Sequence, residues 1–411
     1  MSKNSALADS LEGNRRRFSL LYASIKAIPD SRVSVCKHVP ALNPETMGLQ
    51  SVKIAANGDG ETSFTGAAVC GSVWLCPVCN PRIAKQRQGE ILHAQREHRK
   101  NGGVTLLLTI TFSHSRNDNL KETLSKFSKA LSRMKACRKY KSLKQAVGYV
   151  GSIRALEFTH SDRNGWHPHT HEIVFLDKTI TEAQAENFRQ SIFNLWEFYA
   201  VKHGLGKPTN EHGINVKYAT DNEKNDGMLA SYVAGMDYEL THLHTKESKE
   251  KGVYSGRSPW QILKDIADKK SERDIFLWRE YAHAVHGRNQ LFWSKGLKDR
   301  FQVKEFSDLE AAAVFEEKKI LRVLSDDEFY LICYAKKHAE ALEVARLAPM
   351  FLDVWFAKLK YKYRERLRKR REDKNDLAEW VRLNCDSAAQ SKIEVARFAG
   401  VTENHFRRKV V

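Results

Sequence analysis

Three histidines stand at alternate positions in one short stretch of this chain, where the order Trp-His-Pro-His-Thr-His-Glu contains His167, His169 and His171. In an extended strand, residues two apart point to the same face of the sheet. The apolar run 173–176 follows at once and predicts that the strand continues into a core. Neutral imidazoles close together on one strand suit a divalent cation. The stretch therefore predicts a metal site.

A carboxylate could complete this site from a neighbouring strand. A strand is predicted over 149–159, and the turn signal Asp-Arg-Asn-Gly at 162–165 would join it to the histidine strand as an antiparallel hairpin. Glu157 lies on that strand, and cross-strand neighbours lie within about 5.5 Å of each other. A His-His-Glu set suits Mg²⁺ or Mn²⁺ holding a phosphate, or Zn²⁺ holding water. Weaker candidates nearby are His114, His160 and His167.

Four of the seven cysteines cluster early in the chain, as Cys36, Cys70, Cys76 and Cys79. The last two form a Cys-Pro-Val-Cys knuckle whose thiolates can share one Zn²⁺. Cys70 would add a third ligand and Cys36 a fourth, with His38 as the alternative to Cys36. Redox chemistry is the competing use of such a pair, but it usually needs a βαβ unit, which this sequence does not predict here. We expect a structural zinc.

Composition narrows the classes of function. The 68 Lys and Arg residues exceed the 50 Asp and Glu residues, which leaves a net charge of +18. Such a surplus indicates a polyanionic partner, most often nucleic acid. There is no apolar run long enough for a membrane span and no apolar signal core at the start, so we expect a cytoplasmic protein.

The pattern of elements predicts an α+β chain of several domains. Residues 1–30 are expected to be a weakly ordered lead-in, 31–100 a Cys-rich zinc-binding segment, 101–300 a domain that carries the histidine strand and 301–411 a helical domain. Within 101–300, strands are predicted at 104–112 and 213–219, and helices at 118–146 and 180–203. From about 305 onward the pattern is almost wholly helical.

A metal beside a basic surface suggests phosphodiester chemistry. The sequence leaves two possible nucleophiles for that reaction. Metal-bound water would give hydrolysis. A tyrosine would give a covalent phosphotyrosine that stores the bond for rejoining. Tyr232, in a predicted helix over 228–238, is the candidate tyrosine, and Tyr218 is its rival.

These features together resemble the plasmid rolling-circle replication initiators of the His-hydrophobic-His (HUH) endonuclease superfamily. The resemblance covers roughly residues 30–300. It is carried by the strand 106–112, the His-Pro-His-Thr-His motif, the tyrosine helix and the Cys knuckle, and by Tyr-Glu-Leu-Thr at 238–241 and Phe-Trp-Ser-Lys-Gly-Leu at 292–297.

The resemblance implies a central antiparallel five-stranded sheet with the histidine pair at its centre. His169 and His171 would bind the catalytic metal, Mg²⁺ or Mn²⁺. Tyr232 would attack one origin phosphate, leaving a 5′-phosphotyrosine and a free 3′-OH that primes replication. The implied partners are single-stranded and double-stranded plasmid origin DNA, with host helicase and polymerase.

The chain departs from that pattern at three positions. Thr170 stands where relatives have a hydrophobic residue between the two histidines. Gly235 stands where they have a lysine after the tyrosine, and Met228 where some have a glutamate one turn before it. Glu239 or Tyr238 could replace that glutamate. The departures keep open a non-catalytic origin-binding protein, and the shared chemistry keeps open an HUH transposase or relaxase.

The C-terminal region carries two further basic features. Residues 356–374 hold ten Lys or Arg among tyrosines and leucines, which is typical of a phosphate-contacting or simply solvated helix. Residues 388–409 predict a helix-turn-helix, with a plain αα-hairpin as the alternative. Its second helix would offer four side chains to the major groove of DNA: Asn404, His405, Arg407 and Arg408.

Overall fold

The structure is a computed structural model that describes residues 3–43, 45–218, 256–315 and 317–384. The chain forms two compact units. One, the terminal unit, comprises residues 1–72 and 312–411; the other, the sheet unit, comprises 73–311. Among the described helices, none is both long and apolar enough to cross a membrane.

Helices and strands are numbered in chain order over the described residues. The helices are α1 Lys3–Ala27, α2 Asn80–Lys100, α3 Leu120–Ala136, α4 Arg138–Ala146, α5 Glu182–Lys202, α6 Pro259–Lys269, α7 Glu272–Val285, α8 Leu297–Arg300, α9 Asp308–Ala313, α10 Asp326–Tyr334, α11 His338–Leu347, α12 Leu352–Lys362 and α13 Arg364–Asn384. The strands are β1 Lys53–Ala56, β2 Thr62–Thr65, β3 Val104–Ile110, β4 Tyr149–Ser161, β5 Gly165–Leu176, β6 Ile214–Tyr218, β7 Leu291–Trp293 and β8 Lys319–Val323.

The sheet unit is built on a five-stranded sheet in the order β6-β3-β5-β4-β7, with every neighbouring pair antiparallel. The histidine strand β5 is therefore central, which confirms the predicted α+β class and the five-stranded antiparallel sheet. Alternation along the strands gives each face its own core. One core packs β3 and β5 side chains against α3 and α5, and its largest buried member is Trp196.

The opposite face of the sheet carries the candidate metal ligands. Leu107, Ile173 and Phe175 pack there against α2 and against Leu297 and Phe301. His171 shares this face because it lies two residues before Ile173. The apolar residues 173–176 thus fix β5 in the core, and the histidines at 167–171 lie on the preceding part of the same strand.

A tight connection joins β4 and β5, as the turn signal predicted. Ser161 pairs with Gly165, so only three residues form the loop. Gly165 has a φ of 73°, a left-handed conformation that glycine adopts at little cost. A Cβ at this position would also lie 3.0 Å from the Cα of Arg116. Gly165 therefore helps to fix the register of the hairpin.

The terminal unit holds a smaller antiparallel sheet in the order β2-β1-β8 and the helices that surround it. Helix α1 spans most of residues 1–30 and buries Phe18, Leu20 and Leu21. One expectation is corrected here: the C-terminal region is not all helical, since β8 pairs with the edge of β1. Its run Lys-Ile-Leu-Arg-Val is short and rich in β-branched and aliphatic residues.

Candidate metal centre

The hairpin brings one carboxylate against two imidazoles. Glu157 on β4 lies directly opposite His169 on β5. Its Oε2 is 3.6 Å from Nε2 of His169 and 3.4 Å from Nε2 of His171. Potential ligand atoms of all three residues lie within 4.8 Å of one another. The structure therefore brings together the three residues that were predicted from the sequence as metal ligands.

The other ring nitrogens of the two histidines have partners of their own. Nδ1 of His169 is 3.1 Å from the carbonyl oxygen of His167, which can only accept, so that nitrogen carries the proton. Nδ1 of His171 is 2.9 Å from Oγ1 of Thr109 on β3. The proton on Nδ1 of His169 leaves its Nε2 lone pair directed at the Glu157 side, and His171 presents its Nε2 in the same way when the Thr109 hydroxyl accepts from Nδ1. Such orientation by outer partners is characteristic of metal-binding histidines.

Burial keeps the His171 imidazole in the neutral form that binds metal. Burial is the main cause that lowers the pKa of His171 to about 4, with Glu157 opposing the shift and His169 and Lys217 adding to it. Burial, with neighbouring histidines, lowers the pKa of His167 to about 3. Both rings are therefore neutral at pH 7. Oε1 of Glu157 is also buried without a hydrogen-bond partner in the described structure, as expected for an oxygen placed to bind a cation.

The remaining histidine candidates lie outside this group of ligand atoms. His167 shares the face and stacks on His114, with ring centroids 4.5 Å apart and planes 11° from parallel. His160 is buried, packs edge-on to Trp166 and pairs through its backbone with Arg257. It therefore contributes to the packing of the hairpin.

An aromatic cluster fixes the other side of the hairpin tip. Trp166 stacks on Tyr281 of α7 at 5.6 Å, and Phe158 meets the same ring edge-on at 5.3 Å. Nε1 of Trp166 donates to Glu280, 2.9 Å away. Phe158 follows Glu157 in the strand, so it points to the opposite face. The cluster holds the backbone that presents Glu157.

Sequence reasoning missed Thr109. It is an ordinary β-branched residue in an apolar strand, and only the pairing of Thr109 with His171 across β3 and β5 reveals its role. Sequence reasoning also missed Lys217, whose charge contributes to lowering the pKa of His171. It lies on β6, opposite Leu107, so only the strand pairing brings it near the histidine.

The four cysteines of the predicted zinc site, Cys36, Cys70, Cys76 and Cys79, are all buried. Cys36 and Cys70 belong to the terminal unit, and Cys76 and Cys79 belong to the sheet unit. The backbone N–H of Cys79 lies 3.4 Å from Sγ of Cys76, so the knuckle is already folded around its first sulfur. The alternative ligand, His38, has its Nδ1 hydrogen-bonded to the carbonyl of Cys36.

Several predicted residues lie outside the described residues. They are Tyr232 with its neighbours Met228, Gly235, Tyr238 and Glu239, and the helix-turn-helix residues Asn404, His405, Arg407 and Arg408. Tyr218 lies at the end of β6.

Comparison with known proteins identifies the family. A family model described as replication protein matches residues 62–318, which is more than half of the chain. The chain belongs to this replication protein family. The match includes the histidine hairpin, Cys70, the Cys knuckle and Tyr232, and excludes Cys36 and the predicted helix-turn-helix.

Two relatives of this chain that are named protein rep agree with the family match. A protein rep from Streptomyces lividans is 26% identical over 305 residues, covering 60% of this chain and 66% of the relative. A protein rep from Lentilactobacillus hilgardii is 22% identical over 263 residues, covering 63% and 74%. A neomycin resistance protein from Streptomyces cyanogenus is 27% identical over 149 residues, covering 30% and 34%. No solved structure matches the chain.

Proposed function

We propose that this chain initiates rolling-circle replication of a plasmid by nicking one strand at the origin. The observation that carries the proposal is the Glu157, His169 and His171 group, assembled on the central hairpin of a chain from a replication protein family. Two imidazoles and one carboxylate are a donor set for Mg²⁺ or Mn²⁺. The five-stranded antiparallel sheet with its central histidine strand supports the proposal, because the resemblance to HUH endonucleases implies such a sheet.

The proposed reaction is a transesterification. The hydroxyl oxygen of Tyr232 attacks the origin phosphorus, and the bond from phosphorus to the 3′-oxygen breaks. The tyrosine proton ends on the departing 3′-oxygen. The products are a 5′-phosphotyrosine and a 3′-OH primer, and the reverse reaction rejoins the strand at termination. One phosphodiester replaces another, so the bond energy is kept for rejoining.

Each member of the metal group has a role in this scheme. His169 and His171 bind through Nε2, and Glu157 supplies a negative oxygen. A bound divalent cation would polarise the scissile phosphate and offset the charge that develops on its oxygens. The His167 carbonyl holds His169 in the tautomer that this binding needs, and the Thr109 hydroxyl orients the ring of His171 through its Nδ1.

The remaining assignments complete the proposal. A structural Zn²⁺ is held by the four cysteines within 31–100, the nicking activity lies in 101–300, and 301–411 docks the protein on the origin. The docking residues are those of the predicted helix-turn-helix: Asn404, His405, Arg407 and Arg408. The protein acts in the cytoplasm on single-stranded and double-stranded origin DNA, with host helicase and polymerase as later partners.

The test is covalent capture of DNA. An origin oligonucleotide labelled at its 5′ or 3′ end is incubated with Mn²⁺ and either wild type or Tyr232→Phe. We expect a denaturant-resistant adduct with the label 3′ of the nick, formed by wild type and lost in the variant. Tyr218→Phe is the matched control and should form the adduct normally.

Other results would redirect the assignment. An adduct that persists in Tyr232→Phe and disappears in Tyr218→Phe would make Tyr218 the nucleophile. Cleavage without an adduct would indicate attack by water. Binding without any cleavage would favour a non-catalytic origin-binding protein, the interpretation that Gly235 and Met228 support. Cleavage of transposon or transfer-origin ends in preference to a replication origin would favour a transposase or relaxase.

A further inference from the structure

A cavity of about 1000 Å³ opens in the terminal unit, away from the metal-binding sheet in sequence. One wall is formed by residues between Pro29 and Val52, and the other by α10 and α13. No step of the proposed nicking reaction uses these residues. The chemistry of the helical wall suggests what the cavity accepts.

Two tyrosines form a stacked ladder on the helical wall. Tyr330 and Tyr334 are one helical turn apart on α10, and their rings lie 5.9 Å apart with planes 17° from parallel. Tyr334 is 48% exposed although it lines the cavity. Residues four apart share a helix face, so the spacing places both rings on the same side.

Two arginines on α13 are also four residues apart, and each lies over one of the tyrosine rings. The guanidinium of Arg370 lies 4.2 Å from the ring centre of Tyr330, and that of Arg366 lies 4.8 Å from the ring centre of Tyr334. Nε of Arg366 donates to Oη of Tyr330 at 2.9 Å, and Arg370 donates to Asp327 at 2.8 Å. The guanidinium groups are therefore held in place before any ligand arrives.

The positive charge near the ladder comes from α13 as a whole. Arg32, Arg366 and Arg370 line the cavity together with the carboxylates Asp30 and Asp326, and Arg370 is also paired with Asp327. Over 364–375, α13 carries seven cationic side chains and three acidic ones. The cavity thus offers guanidinium planes stacked on tyrosine rings, beside the partly exposed Tyr334, in a groove on a chain of net charge +18.

We propose that this cavity binds single-stranded DNA as a second nucleic-acid site of the protein. Bases stack on aromatic rings and on guanidinium planes, while phosphates meet the cations. A duplex hides its base faces in its own stack, and an acidic peptide brings charge without planar faces, so the ladder favours a single strand. The site would hold a displaced or exposed strand, and its existence does not depend on the nicking chemistry.

The test measures binding by the full-length protein in EDTA, where metal-dependent nicking cannot contribute. The ligand is a fluorescein-labelled oligothymidylate of about 16 nucleotides, followed by fluorescence anisotropy. Tyr334→Ala should weaken binding about tenfold, since base stacking on a protein ring is typically worth that much. Tyr334→Phe keeps the ring face and should bind within about twofold of wild type.

Tyr361→Ala is the matched control. Tyr361 is 72% exposed and has the guanidinium of Arg364 4.8 Å from its ring centre, but it does not line the cavity. Its loss should leave affinity unchanged. Arg366→Gln should lower the slope of log affinity against log salt by about one. Thermal unfolding of each variant checks that the fold is intact.

Photo-crosslinking locates the strand independently of affinity. Oligothymidylate containing 4-thiothymidine should cross-link to a peptide from α10 or α13. Cross-links confined to residues 73–311 would overturn the proposal, as would an unchanged affinity in Tyr334→Ala or an equal loss in Tyr361→Ala. The proposal would also be overturned if Tyr334→Ala lost as much affinity for duplex DNA as for oligothymidylate. Stronger competition by polyglutamate than by unlabelled oligothymidylate would overturn it as well. Loss of nicking in Tyr232→Phe with normal oligothymidylate binding would separate the two sites.

Discussion

Thr109→Val is the most direct test of how the metal group is oriented. The hydroxyl of Thr109 lies 2.9 Å from Nδ1 of His171, and that ring is only 5% exposed. Valine has nearly the same shape and an equal preference for strands. The substitution therefore removes one hydrogen-bonding partner and leaves His171, His169 and Glu157 in the chain.

The expected magnitude follows from that lost partner. Removing an outer hydrogen bond to a metal-binding histidine typically weakens metal affinity about 10- to 100-fold, which corresponds to about 1.4–2.7 kcal/mol. Leaving the buried Nδ1 of His171 unpaired should also lower the free energy of unfolding of the metal-free protein by about 1–3 kcal/mol.

Isothermal titration of metal-stripped protein with Mn²⁺ at pH 7 measures the first effect, and urea denaturation measures the second. Mn²⁺ prefers oxygen and nitrogen ligands to thiolates, so the cysteines contribute little to the signal. Thr111→Val is the matched control, because the Thr111 hydroxyl donates to the carbonyl of His212 at 3.0 Å instead. Wild-type Mn²⁺ affinity in Thr109→Val, or an equal loss in Thr111→Val, would refute the orienting role of Thr109.

Three further substitutions test other parts of the structure. Glu172→Gln should lower the free energy of unfolding, measured by urea denaturation, by about 3 kcal/mol. The substitution leaves the ammonium group of Lys135, 2.6 Å from the Glu172 carboxylate, without its charge partner. A loss below about 1 kcal/mol would contradict this and show that the pair is well solvated. Burial opposes the shift, but hydrogen bonds from Arg322 and a nearby lysine lower the pKa of Glu328 from its usual 4.5 to about 2. Its ionised form therefore stabilises the fold above pH 4.5, so Glu328→Gln should cost about 2 kcal/mol at pH 7 and progressively less as the pH falls towards 2; a cost independent of pH would contradict this. Cys79→Ser should abolish zinc retention, measured by elemental analysis after dialysis, and zinc in the variant at the wild-type level would exclude Cys79 as a ligand.

The hairpin could be predicted from sequence because its determinants are local. The turn at 162–165 fixes which residues of β4 and β5 are opposite, since each step away from a tight turn advances one residue on both strands. The turn signal predicted the hairpin, and counting outward from the observed Ser161–Gly165 pair places Glu157 opposite His169. The helix beginning after Thr181 was equally local, because Thr181 and Gln184 form a capping box.

The features that sequence could not give depend on distant pairing or on weak local signals. Nothing in 319–323 indicates that β8 pairs with β1 from the other end of the chain. The helical pattern over 118–146 is two helices, because the backbone turns at Cys137, whose Sγ lies 3.4 Å from the N–H of Tyr140 and caps the second helix. Cysteine is an uncommon cap, so the break carries no recognisable signal.

The metal group therefore belongs to the sheet rather than to the histidine motif. Its ligands and their orienting partners come from three adjacent strands: Thr109 from β3, Glu157 from β4, and both histidines with the His167 carbonyl from β5. The strands β3 and β4 flank β5 on either side. A slip of one residue in either pairing would turn Thr109 or Glu157 to the opposite face. The hairpin turn sets the register of β4 on β5, and the apolar packing of Leu107 against Ile173 and Phe175 supports that of β3 on β5. The turn and the core beneath the site together determine whether the histidine motif can bind a metal.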